Sequence, residues 1–399
     1  RMKKRTSDLL NRLSESATLA MARMARELKA SGVDIISLSL GEPDFDTPTE
    51  LKQSGIDSIN ANETHYTPVP GTQRVRDAIS KKFKRDNGLV YNTDQIVVST
   101  GAKQSLANVI LSLVNPGDEV ILPAPFWVSY VELVKVAGGV PVILPTSINE
   151  DYKIKPEALE DAINEKTRMM IYSSPCNPSG SVYTKEETAA LADVLRNHDN
   201  MFTISDEIYE LINFTPKHAS LAAEPGMMDR VITVNGVSKG FAMTGWRLGY
   251  IGAPKWIADA CTKIQGQFTS APCSIAQAAA ATAVEADPSI TQSMVAAFLR
   301  RRNAMHANLS KVPGINLNLP MGAFYLFPDV SDLFGKSFNG KSLDNSDDVA
   351  MFLIEEAHVA TVSGAAFGTP ECIRISYAAA DEVLEEAVRR IEVAVNKLV

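Results

Sequence analysis

The sequence predicts an α/β protein: a three-layer, mostly parallel sheet with helices on both faces, joined to a smaller α+β domain. Three observations carry this. Between residues 95 and 234, short β-branched apolar runs alternate with helix-length segments, and strands so separated pair in parallel through crossover helices. The chain of 399 residues is long for a single core. After about residue 285 the alternation stops. The expected division is a large domain over 46–285 and a small one from 1–45 and 286–399.

The elements are expected in this order. Leu19–Lys29 reads as a helix, followed by a turn at Gly32 and a short strand Asp34–Leu38. Gly41-Glu42-Pro43-Asp44-Phe45-Asp46-Thr47-Pro48 is a rigid glycine- and proline-bearing loop. Helices are expected at Gly71–Lys84, Lys103–Leu113, Val128–Val136, Pro156–Ile163 and Lys185–His198. Strands are expected at Gln95–Ser99, Glu119–Leu122, Val140–Leu144, Thr167–Tyr172, Phe202–Ser205 and Val231–Val234. A long helix Ile290–Leu309, strands near Phe324–Leu326 and Ile373–Ser376, and a terminal helix Asp381–Lys397 complete the small domain.

Composition narrows the function. The 39 basic and 47 acidic residues give a net charge of −8, with no long basic run, which argues against a nucleic-acid partner. No uncharged apolar segment reaches the length needed to span a membrane. Cys176, Cys261, Cys273 and Cys372 are scattered, and the five histidines have no ligand spacing. The reading is a reduced, cytoplasmic protein without a metal site. The basic stretch Arg1-Met2-Lys3-Lys4-Arg5 is followed by no signal-peptide core.

Candidate functional residues fall where strands end, the edge at which parallel sheets place their sites. Lys239 follows the apolar run Val231–Val234 in Val237-Ser238-Lys239-Gly240. It is either an exposed loop lysine or a neutral amine able to form a Schiff base with an aldehyde. Asp206 ends an apolar strand, as a helix N-cap or as the partner of a buried cation such as a protonated pyridine. Tyr209, three residues on, shares that cleft. Asn177, in Asn177-Pro178-Ser179-Gly180, makes an Asx-turn or donates to a phenolic oxygen. Trp127 is core or a stacking platform. Gly101-Ala102 opens a helix, as a plain turn or as a phosphate cradle. Arg374 alternates with apolar neighbours, on a half-exposed strand or as a forked grip on a carboxylate. One ligand satisfies all the sharper readings: pyridoxal phosphate with an amino acid.

These motifs, with Gly41-Glu42-Pro43-Asp44-Phe45, Tyr66, Pro70-Gly71 and Gly101-Ala102-Lys103-Gln104, resemble the class I, fold-type I pyridoxal-phosphate aminotransferases. The bacterial-type aspartate aminotransferase branch is the most similar, and the resemblance runs from about Ser16 to the last helix. It implies that Lys239 binds the cofactor aldehyde and moves the substrate proton. Asp206 keeps the pyridine protonated, Asn177 and Tyr209 hold the ring's 3-oxygen, and Trp127 stacks on the ring. Gly101, Ala102, Ser238 and Arg247 hold the phosphate. Tyr66 reaches the phosphate of a neighbouring subunit, which implies a homodimer with shared sites. Arg374, Asn177 and the Gly41 backbone bind the α-carboxylate. The implied substrates are aspartate, or another dicarboxylic amino acid, and 2-oxoglutarate.

Two positions depart from the animal-type enzymes. Gly236 replaces a phosphate-binding serine, and Gln265–Ser270 contains no arginine for the distal carboxylate. Lys103 is therefore expected to meet that carboxylate, with Thr18 closing over it. The alternatives on the same site are aromatic, prephenate or alanine transamination and a lyase. A non-catalytic effector-binding module and a nicotinamide dehydrogenase are disfavoured, the latter because no G-x-G-x-x-G follows a first strand.

Overall fold

Seven strands form the central sheet of the computed structural model, which describes residues 5–399; the basic Arg1–Lys4 stretch lies outside the described residues. Across the sheet the order is Ile96–Ser99, Gly249–Gly252, Val231–Gly236, Phe202–Asp206, Thr167–Ser173, Glu119–Pro123 and Val140–Leu144. Every pairing is parallel except those made by Gly249–Gly252, which runs antiparallel to both neighbours. That strand is glycine-bounded and only four residues long, so its sequence shows no alternation to announce it. Helices Thr49–Asn60, Lys255–Phe268 and Ser274–Glu285 likewise went unforeseen. The last is nearly all alanine on its buried face, a pattern without strong helical periodicity.

Most expected helices end where local chemistry dictates. Thr184 and Glu187 form a reciprocal capping box that starts Lys185–Leu195. Ser16 caps Ala17–Ala30, and Gln73–Lys82 passes into a π-helical turn, Phe83–Asn87, closed by Gly88 at φ 66°. The expected strand Asp34–Leu38 shrinks to Ile36–Ser37, which pairs in parallel with Val359–Ala360. The terminal helix stops at Val395.

The apolar side chains segregate. Two clusters cover the two faces of the sheet, one including Ile96, Met170 and Val231, the other Val97, Ile171 and Ile232, as alternation along parallel strands requires. A further cluster joins Gln292–Leu309, the strands Tyr325–Leu326 and Ile373–Ser376, and Asp381–Val395. Tyr209 and Ile212, although just beyond a sheet strand, pack into that cluster. That cluster therefore meets the carboxyl edge of the sheet.

Behind this edge lies a buried polar network. Glu207 takes hydrogen bonds from Ser205 (2.8 Å) and Ser220 (2.6 Å) and pairs with His218 Nε2 at 2.6 Å. Glu210 is paired with Lys82 and accepts from Asn87 (2.7 Å) and Asn235 (2.9 Å). Glu207, Glu210 and His218 present ligand atoms within 4.8 Å of one another, but the Lys82 ammonium already serves Glu210. Breaking such a buried pair leaves a charge without compensation. Lys82→Met is expected to lower the unfolding free energy in urea by about 3–5 kcal/mol, whereas a loss under about 1 kcal/mol would contradict a structural role for the pair.

Candidate active site

The register of the sheet aligns the strand ends: Ser173 lies beside Asp206, and Asp206 beside Val234. The turns leaving these strands line one cavity of about 290 Å³ that Lys239, Asp206, Asn177 and Arg374 all reach. Lys239 sits three residues past the end of Val231–Gly236. Its Nζ donates to the Gly41 carbonyl and lies 5.9 Å from the Tyr209 ring centre. Burial, and then the Arg374 charge, lowers its pKa to about 8, so neutral amine is available near neutral pH.

Asp206 is only 4% exposed. Its Oδ2 accepts from the Tyr130 hydroxyl at 2.5 Å and its Oδ1 from the Ile208 backbone N–H at 3.2 Å. Burial raises its pKa to about 6 in spite of these donors. Arg374, on the strand Ile373–Ser376, is 1% exposed. It donates to Asn177 Oδ1 (2.9 Å), the Ser39 carbonyl (2.7 Å) and Thr18 Oγ1 (3.5 Å), and its guanidinium stacks 4.5 Å from the Tyr325 ring centre. Its Nε has no hydrogen-bond partner. Because Arg374 takes the Asn177 oxygen, the Asn177 amide N–H groups remain as donors. Tyr209 is buried, with its hydroxyl 2.8 Å from that of Tyr325.

A third corner is built for an anion. Helix Ala102–Leu113 starts at Gly101, whose φ of 83° suits glycine, and no side chain caps it. A Cβ on Gly101 would collide with the Arg247 guanidinium, and one on Gly249 with the Ala102 backbone nitrogen. Both glycines thus let the helix start, Arg247 and the neighbouring strand close on the same spot. Ser238 lines the cavity with Ala102 and Arg247. At Gly236 a Cβ would lie 2.9 Å from the Leu248 carbonyl oxygen, so the missing serine has no room here.

Lys103 Nζ lies over the Trp127 ring, 4.9 Å from its centre, at the wall of the cavity. Burial, then Arg247, lowers its pKa. Thr18 and Gly41 line the cavity with Leu19 and Leu40. Tyr66 is separate from this assembly and fully exposed in the single chain. Tyr130 and Tyr325 were missed in the sequence. Tyr130 follows Trp127 by three residues, in the first turn of helix Ser129–Val136, and that spacing was the available signal.

A cavity at the carboxyl edge of a parallel sheet, holding a desolvated lysine, a buried carboxylate and a buried arginine, defines an α/β enzyme acting on anionic substrates. The comparisons agree. Residues 33–391 match the family described as aminotransferase class I and II. A bifunctional aspartate aminotransferase and glutamate/aspartate-prephenate aminotransferase from Petunia hybrida is 47% identical over 393 residues, 97% of this chain and 82% of that one. The crystal structure of the aspartate aminotransferase from Rhizobium meliloti superposes with a TM-score of 0.96 at 39% identity, covering 100% of both chains. The Thermus thermophilus aspartate aminotransferase with maleate gives 0.92 at 36% identity, covering 98% of this chain and 100% of that one. The chain belongs to the class I and II aminotransferases, a pyridoxal-phosphate-dependent class.

The lowered pKa predicts that Lys239 reacts fastest among the lysines with an amine-directed reagent near pH 8, with a midpoint at about 8. Peptide mass spectrometry across a pH series checks this, and a midpoint near the ordinary lysine value of about 10.4 would contradict it.

Proposed function

We propose that this chain moves the amino group of aspartate, or of another dicarboxylic amino acid, to 2-oxoglutarate, with pyridoxal phosphate held in the cavity. The carrying observation is that Lys239, Asp206 and Arg374 share one cavity and, among the described residues, make no ion pair with one another. A ligand with an aldehyde, a protonated ring nitrogen and a carboxylate answers all three. The uncapped helix at Gly101-Ala102 and the free Nε of Arg374 fit its phosphate and the substrate carboxylate. Bound there, the cofactor supplies an aldehyde and an electron-accepting ring.

The protein's own residues bind, orient and move protons. Asp206 would keep a proton on the ring nitrogen, Asn177 and Tyr209 would hold the ring's 3-oxygen, and Trp127 would stack on the ring. Gly101, Ala102, Ser238 and Arg247 hold the phosphate. Arg374, with Asn177 and the Gly41 backbone, fixes the α-carboxylate, and Lys239 Nζ accepts the proton leaving the substrate Cα. Positioning and fixed charge supply the rate. Tyr66, exposed and outside the cavity, fits a role at a second copy's phosphate in a homodimer.

Lys103 supports the dicarboxylate reading, because it is the cation at the cavity wall not already committed to another role in this scheme. The maleate held by the Thermus enzyme, a dicarboxylate, points the same way. Prephenate is a second reading on the same cavity, supported by the name of the Petunia relative. Incubation with aspartate and 2-oxoglutarate is expected to give oxaloacetate and glutamate in equal amounts with parallel-line kinetics, whereas absent transfer or an elimination product would sink the proposal. Lys103→Ala is expected to cut kcat/KM for aspartate roughly tenfold to a hundredfold and to spare alanine. Equal losses on both substrates would contradict its assignment.

A further inference from the structure

The carboxylate expected to meet the ring nitrogen is itself supported by a residue that the reading above leaves without a task. We propose that Tyr130 is a positioning residue: its hydroxyl keeps Asp206 ionised and aimed, so that the carboxylate selects a ring that carries a protonated nitrogen. This rests on the assignment of Asp206 to the pyridinium.

The geometry favours it. Tyr130 is 1% exposed, on helix Ser129–Val136. Its ring meets Trp127 edge-on at 5.7 Å and 88°, which fixes the direction of the hydroxyl. The 2.5 Å bond to Asp206 Oδ2 is the shorter of the carboxylate's two contacts, the Ile208 N–H at 3.2 Å being the other. Asp206 makes no salt bridge with an arginine or lysine among the described residues, so neutral donors hold its charge in a site where burial opposes it. Glu207 raises the Asp206 pKa further and Lys239 lowers it. Cys176 and Ser173 face Tyr130, and the Cys176 thiol is itself pushed up by burial. The Tyr130 phenol is held far above its ordinary range by burial and by the Asp206 charge, so it remains a donor at working pH.

Without that hydroxyl, Asp206 takes up a proton at a higher pH. A protonated carboxyl at this point donates where it should accept, and the gain from a cationic ring is lost. The effect is expected on ligands with a ring nitrogen, because a deaza ring has no proton for the carboxylate to hold, while on Lys239 the Asp206 charge weighs less than burial, Arg374, Glu42 and Arg247.

The test uses full-length protein freed of cofactor and Tyr130→Phe, which keeps the ring and its packing. Each is titrated with pyridoxal phosphate and with its 1-deaza analogue, in which a carbon replaces the ring nitrogen. Tyr130→Phe is expected to bind pyridoxal phosphate about tenfold more weakly and the deaza analogue unchanged. The pH below which pyridoxal phosphate affinity falls is expected to move upward. In an Asp206→Asn background the Tyr130 substitution is expected to have no further effect. Equal losses on both ligands, or no loss on either, would overturn the proposal by leaving Tyr130 a shape-filling or idle residue. If the unsubstituted protein failed to distinguish the two ligands, the pyridinium role of Asp206 would itself fall, and the proposal with it.

Discussion

Three charged groups drawn into one cavity, Asp206 and Arg374 buried and Lys239 partly so, without neutralising one another are the constraint on which the rest of the structure depends. Taking an ion out of water costs several kcal/mol unless it is paired or becomes neutral. Lys239 and Asp206 answer by shifting their pKa values toward neutrality, to about 8 and about 6. Arg374 answers by hydrogen bonds to Asn177 and Ser39 and by stacking on Tyr325 and Phe367. On the proposed reading, an anion would lie opposite Arg374, a cation opposite Asp206 and an aldehyde opposite Lys239.

The scaffold maintains this arrangement from two directions. Parallel register brings Ser173, Asp206 and Val234 level, so the turns after them open on one side. The apolar cluster that joins Gln292–Leu309 to the strands Tyr325–Leu326 and Ile373–Ser376 meets that side, with Tyr209 embedded in it and Arg374 on its strand. Close approach is secured by missing side chains: Gly249 admits the start of helix Ala102–Leu113, and Gly101 admits Arg247. The network of Glu207, His218, Glu210 and Lys82 ties down the segment that directly follows Asp206.

Much of this was legible because it depends on short-range signals. The strands ending at Ser99, Asp206 and Gly236 announce themselves as β-branched runs, and the residues just past them carry the site. The strand Gly249–Gly252 was not legible, since four residues flanked by glycine show no period. Ser274–Glu285 was hidden because a helix buried on most sides loses its polar stripe. Within the site, Lys239, Asp206, Asn177 and Arg374 were found from motif and strand position, and the cavity brings them together. Tyr130 and Tyr325 were not found, because a tyrosine on an apolar helix face or strand looks like core until its hydroxyl is seen to meet a partner. Tyr66 faces solvent in the single chain, and its proposed role at a second copy's phosphate rests on the family resemblance alone.

The central claim is that Lys239 is the amine to which the cofactor aldehyde attaches. The most direct measurement is to incubate the protein with pyridoxal phosphate, reduce with borohydride, digest and locate the pyridoxyl group by mass spectrometry. The account predicts one equivalent of label per chain, all of it on Lys239. Label spread over several lysines, or carried chiefly by Lys103 or Lys82, would contradict it.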